Sequence, residues 1–253
     1  MKNQSSLTKT LLALQLVILS ASSTLVAQTN ALDQAVTDFA EDSKSIVTAP
    51  LKWQKKDRII AFSFVTLTSV ALASDEESQK FFVRNRTDFS DRTADFFRPL
   101  GGKVPLWALG GLYATGLVIR DPKAKETAYL GLRSILITQE IVAGLKYSFG
   151  RARPFADKGA YYFESFDYSS DFSLSLPSGH AATAFAFASV IAHQYPQWWI
   201  KYPVYLLASG AAWSRTNDNV HFLSDVIIGG GIGYWVGEKI VHRHQRQKLD
   251  HSR

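Results

Sequence analysis

Six apolar segments recur along the chain, and each is long enough for a helix. They are residues 59–73, 104–119, 128–145, 181–193, 202–213 and 226–241. No stretch alternates apolar and polar residues over the length that a half-buried strand needs. The pattern therefore predicts an all-α fold, a helical bundle of about six core helices.

The first 27 residues have the pattern of a secretory signal peptide. Lys2 and Lys9 precede an apolar run, and small residues lead to a predicted cleavage site after Ala27. Leu25 is larger than the residue usual at its position before the cut, so an uncleaved anchor is the alternative. We divide the chain into a signal peptide or anchor (1–27), an N-terminal helical extension and linker (28–100) and a core (101–245).

The apolar segments leave two membrane topologies open. A span needs about 20 apolar residues; most segments are shorter, and the third carries Arg133 and Glu140. The basic groups at 52–58, 120–125 and 242–248 would all be cytoplasmic if six helices crossed. A cleaved signal peptide would instead place residues 52–58 outside. We favour an exported helical domain of the cell envelope, periplasmic or against the outer face of the cytoplasmic membrane, over a six-span protein.

The charge of the chain is mildly basic. A formal net charge of +6, with 20% charged residues, suits an anionic substrate or membrane surface but is too diffuse for nucleic acid. The chain has no cysteine, which excludes disulfides, zinc–thiolate sites and thiol nucleophiles. Nothing in this composition indicates an oligomeric state.

Three basic residues form the first candidate cluster. Lys146 and Arg153 follow the third apolar segment, and Arg215 follows the fifth. Gly150 and Pro154 should end the helix that carries Lys146 and let the chain turn Arg153 towards the same point. Two guanidinium groups and one ammonium group can bind a phosphate dianion from several sides. Taken alone, each could equally cap a helix or face water.

The tetrapeptide Pro177-Ser178-Gly179-His180 precedes a small, apolar segment and is typical of a helix N-terminus. Free backbone N–H groups and the helix dipole favour an anion there. Ser178 adds a hydroxyl group, and Gly179 lets the backbone approach a ligand closely. A plain helix cap with an incidental histidine is the alternative.

His221 and Asp225 are four residues apart, which places them on one face if the segment is helical. A carboxylate bound to one imidazole nitrogen leaves the other nitrogen available as a nucleophile; the alternative is an ordinary surface pair. A metal site on His180 and His221 is disfavoured, because the basic neighbours would repel a cation and no carboxylate cluster supplies a third ligand. The other histidines lack comparable partners and are predicted to lie on the surface: His193, His242, His244 and His251.

Together, the three clusters resemble the signature motifs of a known superfamily. The motifs are Lys146-x6-Arg153-Pro154, Pro177-Ser178-Gly179-His180 and Ser214-Arg215-x5-His221-x3-Asp225. They are similar to those of the type 2 phosphatidic acid phosphatases, whose superfamily includes class A bacterial acid phosphatases and vanadium-dependent haloperoxidases. The resemblance covers residues 104–241 and says little about residues 1–100.

The resemblance implies a metal-independent phosphatase, with the catalytic core at residues 101–245 and the active site at one end of the bundle. His221 would be the nucleophile that forms a phosphohistidine, Asp225 would orient it, and His180 would protonate the leaving oxygen and later activate water. The substrate would be a phosphomonoester or a diphosphate, free or lipid-linked. No cofactor is implied, and vanadate would be an inhibitor. The phosphoryl oxygens would be held by Lys146, Arg153, Ser178, Gly179 and Arg215.

The chain departs from the family pattern at a few positions. Ala152 and Leu223 stand where proline is frequent, and the stretch 216–219, Thr-Asn-Asp-Asn, is more polar than usual. We expect that stretch to favour a soluble substrate or a polar head group. Two alternatives stay open: a haloperoxidase that holds vanadate as its cofactor, and a non-catalytic envelope protein with a vestigial phosphate pocket.

Overall fold

The structure, a computed structural model, describes residues 33–166 and 174–252. The chain separates into two compact units, which divide between Ala49 and Pro50. Helix α1 spans residues 33–48 in the first unit. The predicted signal peptide or anchor, residues 1–27, lies outside the described residues. It stays a prediction, as do the predicted domain boundaries.

The second unit consists mainly of helices. They are α2 (Lys55–Ala73), α3 (Asp75–Arg84), α4 (Asp88–Phe97), α5 (Lys103–Val118), α6 (Pro122–Phe149), α7 (Gly179–Gln194), α8 (Trp198–Asn217) and α9 (Leu223–His251). Within residues 33–166 and 174–252, the only β-type pairing is an isolated antiparallel bridge between Arg151 and Phe163. The predicted all-α fold is therefore confirmed.

The apolar pattern predicts the central parts of α2 and α5–α9, but it misses α3 and α4. Both of these helices are short, and both begin with acidic turns, at Asp75 and at Asp88. Negative charge near a helix N-terminus stabilises the helix through its dipole. At α4, Thr87 and Ser90 also exchange capping hydrogen bonds of 3.0 and 3.1 Å. The signal for these helices is therefore electrostatic and local rather than hydrophobic.

Helix α7 packs against α6, α8 and α9. Its buried face is made largely of small residues: Ala181, Ala182, Ala184, Ala186 and Ala188. On α9, a Cβ at Gly233 would lie 2.1 Å from the Ala182 carbonyl oxygen, and one at Gly237 would lie 2.8 Å from Ser189 Cβ. The two helices therefore approach almost backbone to backbone, which fixes their relative register.

The C-termini of α6 and α8 meet the N-termini of α7 and α9 at one end of the bundle. The electrostatic neighbours of His180, on α7, include Lys146 from α6 and Arg215 from α8. Those of Lys146 include Asp225 from α9. Each sequence motif therefore lies at this end, as predicted.

The turn after α6 follows the prediction from Gly150 and Pro154. Helix α6 ends at Phe149, and Gly150 adopts a left-handed conformation with φ of 57°. A Cβ at Gly150 would lie 1.8 Å from the Glu164 carbonyl oxygen, so a larger residue does not fit. Pro154 then opens a 3₁₀ turn, with Arg153 directly before it. This sharp change of direction keeps Arg153 at the end of the bundle.

Large apolar side chains are exposed along α2, α5 and α8. Examples are Phe62 on α2, Trp107 and Val118 on α5, and Trp198 and Leu206 on α8. Among the described residues, no single helix is long and apolar enough to cross a membrane. Helices α2 and α3 reach the necessary length and apolar composition only when they are taken together, and a bend of 59° separates them. Exposed apolar surface of this extent is typical of a contact with lipid or another protein.

Candidate active site

The first motif places two cations at the end of α6. Lys146 Nζ donates a hydrogen bond to the Leu174 carbonyl oxygen. Burial, and then the positive charge of Arg153, lowers the pKa of Lys146 to about 8. The positive charge of Arg153 also contributes to the lowered pKa values of His180 and His221. An anion bound here would relieve the repulsion between the two cations.

The third cation, Arg215, is buried at the end of α8. Its Nη1 donates a 2.9 Å hydrogen bond to Asp218 Oδ2. Asp218 also accepts hydrogen bonds of 2.8 and 2.9 Å from Arg98. Burial lowers the pKa of Arg215, although the Asp218 charge opposes this effect. One carboxylate thus holds two guanidinium groups, and Arg98 also pairs with Asp95 at 2.8 Å.

Ser178 is the N-cap of α7, as the sequence predicts. Its hydroxyl group accepts a 3.5 Å hydrogen bond from the Ala181 N–H, and its own N–H donates to the Asp225 carbonyl oxygen at 2.9 Å. A Cβ at Gly229 would lie 2.3 Å from the Ser178 carbonyl oxygen. Helix α9 therefore presses directly on this turn and holds the second motif beside the third.

Gly179 and His180 form the first turn of α7. A Cβ at Gly179 would lie 3.4 Å from Gln139 Oε1, so packing alone does not demand glycine at this position. A Cβ at Gly102 would lie 3.6 Å from His180 Nε2, which places this ring against the loop before α5. Burial, followed by the charge of Arg215, lowers the pKa of His180 to about 4. The imidazole is therefore neutral at neutral pH.

The His221–Asp225 pair forms in a different way from the prediction. Helix α9 begins at Leu223, so His221 precedes the helix and does not lie on its face. Asp225 instead folds back as a cap, and its Oδ2 accepts a 2.9 Å hydrogen bond from the Phe222 N–H. This turn brings His221 Nδ1 to 3.7 Å from Asp225 Oδ2. The two residues meet through a helix cap rather than through helical spacing.

His221 is buried, and its ring has a defined orientation. Burial lowers its pKa to about 4, even though the nearby Asp225 carboxylate acts in the opposite direction. Nδ1 also lies 3.5 Å from Ser175 Oγ, and this hydroxyl group donates a 2.6 Å hydrogen bond to Asp225 Oδ2. Because both partners face Nδ1, Nε2 points away from the carboxylate. A neutral imidazole held in this way is suited to nucleophilic attack.

Arg151 is a residue that the predicted site omits, although it is fully buried behind the His221–Asp225 pair. Its Nη1 donates a 2.7 Å hydrogen bond to Asp225 Oδ1, and its Nη2 donates one of 2.7 Å to Asp75 Oδ2. Asp75 also accepts a 3.0 Å hydrogen bond from the Ser224 N–H. Burial raises the pKa of Asp75. For Asp225, the nearby His221 and the charge of Arg151 together outweigh burial and lower the pKa of the carboxyl group.

The sequence contains a signal for Arg151 but none for its partner Asp75. Arg151 stands two positions before Arg153 in an Arg-x-Arg-Pro run, so a second buried cation could be suspected there. Asp75 is 76 residues from Arg151 in the chain and lies in a helix that the apolar pattern misses. It reaches the site because α3 packs against α8 and α9.

The polar stretch 216–219 is used inside the protein. Asn217 Nδ2 donates a 2.9 Å hydrogen bond to Asp91 Oδ1 on α4. Asn219 Oδ1 accepts one of 3.2 Å from Gln79 Nε2 on α3. These contacts tie the end of α8 to α3 and α4. They give a structural reason for the polarity, and the expected preference for a soluble substrate or a polar head group stays a prediction.

A comparison with known proteins agrees with this geometry. The sequence profile of the PAP2 superfamily matches residues 128–248, which include all three motifs. Over residues 128–248, this chain is similar to the PAP2 superfamily. The family resemblance drawn from the motifs is therefore confirmed. In the structure, Arg151, Asp75 and Ser175 lie with the predicted site residues His221 and Asp225.

Individual relatives support the PAP2 assignment. The chain is 38% identical over 95 residues to a lipid A 1-phosphatase of Porphyromonas gingivalis; the match covers 37% of this chain and 18% of that protein. The structure is similar to that of Aquifex aeolicus LpxE, with a TM-score of 0.54 and 25% identity, over 66% of this chain and 94% of the other.

A second solved structure supports the PAP2 fold alone. It is that of the first transmembrane PAP2 type phosphatidylglycerolphosphate phosphatase from Bacillus subtilis. Its TM-score is also 0.54, at 18% identity, over 73% of this chain and 96% of the other. The helical architecture is therefore shared where the sequence has largely diverged.

Proposed function

We propose that this protein is a phosphatase that cleaves a lipid-linked phosphomonoester or diphosphate through a phosphohistidine intermediate. The observation that carries the proposal is the buried, neutral His221, held by Asp225 beside the cations Lys146 and Arg153. Phosphoryl transfer depends mainly on positioning and on stabilisation of negative charge. A fixed nucleophile next to an anion site meets both requirements.

In the first step, His221 Nε2 attacks phosphorus, and the bond from phosphorus to the leaving oxygen breaks. Asp225 stabilises the positive charge that develops on the imidazole as the new P–N bond forms. His180 donates its proton to the leaving oxygen. The phosphoryl oxygens are held by the predicted ligands Lys146, Arg153, Ser178, Gly179 and Arg215.

In the second step, the phosphohistidine is hydrolysed. His180, now unprotonated, accepts a proton from a water molecule, whose oxygen attacks phosphorus. The P–N bond breaks, inorganic phosphate leaves, and His221 returns to its neutral form. His221 therefore forms and then loses the bond to phosphorus, and His180 transfers protons to the leaving oxygen and from the entering water.

His180 must carry a proton before it can act as an acid, yet its pKa is about 4 in the free site. After burial, the largest contribution to that low value comes from the charge of Arg215. A phosphate dianion among the cations offsets their charge, so binding raises the pKa of His180 in the complex. Substrate binding thereby supplies the protonated acid and also keeps Lys146 charged.

We propose that this reaction needs no metal ion. The predicted phosphate ligands are cations, a hydroxyl group and backbone amides. Asp225, the nearby carboxylate, is already engaged by Arg151 and Ser175. A divalent cation would therefore meet positive charge rather than the oxygen ligands it requires. Vanadate should inhibit competitively, because its trigonal-bipyramidal adduct on His221 resembles the transition state.

Two observations support a lipid-linked substrate. The relative from Porphyromonas gingivalis is a lipid A 1-phosphatase. In this chain, an apolar groove of about 680 Å³ reaches Thr216 and Leu223, which lie within the third motif. Its lining includes Phe64, Phe185 and Tyr205 and suits an acyl chain. With the exposed apolar faces of α2, α5 and α8, these features support work at a membrane. The proposal that the protein is exported to the outer side of the cytoplasmic membrane rests on the N-terminal sequence alone.

Trapping the intermediate tests the nucleophile. Wild-type protein quenched during turnover of a radiolabelled substrate should carry acid-labile phosphate on His221, and His221→Ala should lose turnover. His244→Ala changes a histidine in the C-terminal part of α9 and is the matched control; it should keep both properties. Near-normal turnover in His221→Ala would refute the assignment of His221 as the nucleophile.

A substrate panel tests the reaction class. The protein should release phosphate faster from a phosphorylated lipid in mixed micelles than from a water-soluble phosphomonoester, and vanadate should inhibit both reactions. Cleavage of the soluble ester alone would refute the lipid-linked substrate. Vanadate-dependent oxidation of bromide by peroxide would indicate a haloperoxidase instead. A folded protein that binds phosphate without turnover would indicate a vestigial pocket.

A further inference from the structure

A second cluster of histidines lies at the opposite end of the α7–α9 helix pair. His193 is in the last turn of α7, and Glu238 and His242 are in the C-terminal half of α9. One donor atom from each residue lies within 4.8 Å of the other two. With a rise of about 1.5 Å per residue, His193 is roughly 20 Å along α7 from His180. The cluster is therefore separate from the phosphatase site.

His193 is oriented as a metal-binding histidine would be. Its Nδ1 donates a 2.7 Å hydrogen bond to the Ser189 carbonyl oxygen. This bond places the proton on Nδ1 and leaves the lone pair on Nε2. Histidine ligands in proteins commonly have such a second hydrogen bond, which fixes the tautomer and the ring orientation. The orienting partner is therefore already present.

Glu238 and His242 approach His193 from the neighbouring helix. They are four residues apart on α9, so their side chains lie on one helical face. The rings of His193 and His242 are 5.3 Å apart between centroids and perpendicular to each other. The predicted lack of partners for His193 and His242 is thus wrong, because the packing of α7 on α9 brings them together.

The scaffold beneath the cluster is tightly packed. A Cβ at Gly237 would lie 2.8 Å from Ser189 Cβ, so the two helices are in close contact one residue before Glu238. Ser189 Oγ also donates a 3.0 Å hydrogen bond to the Tyr234 carbonyl oxygen. The positions of the three donor residues are therefore set by rigid backbone, as a preorganised site requires.

We propose that His193, Glu238 and His242 bind a zinc ion that clips α7 to α9, with a water molecule as the fourth ligand. Two imidazoles and one carboxylate form a ligand set that zinc uses in proteins. Magnesium and calcium prefer oxygen ligands, so the two imidazoles disfavour them. Tetrahedral bonds of about 2.0–2.1 Å place ligand atoms about 3.4 Å apart. Rotation of the exposed His242 side chain can close the remaining gap.

Direct metal titration tests the clip. The full chain, purified without a histidine tag and stripped with EDTA, should bind one zinc ion per molecule in calorimetry. Cobalt, used as a spectroscopic probe, should give the visible absorption of a tetrahedral ion. Zinc should also raise the thermal midpoint, because a ligand that binds only the folded state stabilises it. A wild-type protein that binds neither ion would overturn the proposal.

Matched variants locate the ion. His242→Ala should weaken zinc binding by more than about 100-fold, since loss of an outer hydrogen-bond partner alone costs about 10–100-fold. His242 is exposed, so this variant should fold and keep its phosphate release. His244→Ala is the control: it lies two residues further on α9 and pairs with Glu126 at 3.0 Å. It should bind zinc as the wild type does.

Two further variants complete the assignment. Glu238→Gln should weaken binding like His242→Ala, because it removes the anionic ligand but keeps the shape of the side chain. His221→Ala should leave zinc affinity unchanged. Equal affinity in His242→Ala and wild type, or loss of binding only in His221→Ala, would place the ion elsewhere and refute the clip. The zinc affinities of all these variants can be measured whether or not the proposed phosphatase activity is present.

Discussion

The two ends of the α7–α9 helix pair use the same residue types in opposite ways. At the active-site end, His221 is buried and His180 is half-buried, and both lie close to cations. At the far end, the side chains of His193, Glu238 and His242 converge at the edge of the bundle, with His242 exposed. The first environment favours an anion and the second favours a metal cation. The neighbours of a histidine decide what it binds.

The two ends also differ in how strongly the fold depends on them. Arg151, Asp75 and Asp225 form a fully buried ionic network, so removal of one member leaves an uncompensated charge in the interior. The far cluster reaches the surface at His242, where truncation leaves no buried charge. Changes at the active-site end should therefore affect turnover and stability together. Changes at the far end should affect metal affinity, and they should affect stability only when zinc is present.

The largest selective effect should come from His180→Ala. Without the general acid, turnover of an alkyl phosphate should fall by about 100- to 10,000-fold. Phosphoenzyme formation from p-nitrophenyl phosphate should be partly spared, because p-nitrophenolate departs without a proton. Single-turnover measurements on both substrates, with His244→Ala as the control, test this difference. Equal losses for the two substrates would show that His180 is not the acid.

Arg151→Met should destabilise the protein by about 3–5 kcal/mol, because both buried carboxylates lose their counter-charge. The double variant Arg151→Met/Asp75→Asn removes one of those carboxylates and should recover part of the stability. Its turnover should stay low, because Asp225 still lacks the group that positions it. Denaturant unfolding and phosphate release measure the two effects. Recovery of turnover along with stability would make Arg151 a purely structural residue.

Lys146→Arg should change the pH profile more than the maximal rate. His221 must be neutral, so kcat/KM should fall as the pH drops through its pKa of about 4. Above its pKa of about 4 in the free site, His180 loses the proton that it needs as an acid, so kcat/KM should decline with rising pH. Lys146 must be charged, so a further alkaline limb should appear near its pKa of about 8. Arginine stays protonated, and the alkaline limb should move to higher pH in the variant. Lys201→Arg, an exposed change on α8, should leave the profile unaltered. An unmoved alkaline limb in Lys146→Arg would assign that limb to another group.

The smallest effect on turnover should come from chelation. EDTA should remove zinc from the far end but leave phosphate release unchanged, since the proposed phosphate ligands bind no metal. Rates with and without EDTA, measured well below the thermal midpoint, compare the two ends directly. Loss of turnover that a divalent ion restores would contradict the metal-free mechanism.

Local sequence was sufficient for much of the fold. The apolar face of a packed helix repeats every three to four residues, so α2 and α5–α9 can be predicted without knowledge of their neighbours. The turn at Gly150 and the cap at Ser178 are also local, because each depends on the conformation of one residue. Helices α3 and α4 cannot be predicted from the apolar pattern, since the charges that stabilise them lie in polar sequence.

The sequence by itself determined the three motifs and the family resemblance, because the spacing within each motif is a property of a short stretch of chain. Only the tertiary structure decided how their side chains meet. It placed His221 outside the helix, and it brought Asp75 to Arg151 across 76 residues. It also set His193 against His242 through the register of α7 and α9. Contacts between helices depend on how small residues such as Gly233 and Gly237 let backbones pack, and no local pattern encodes that register.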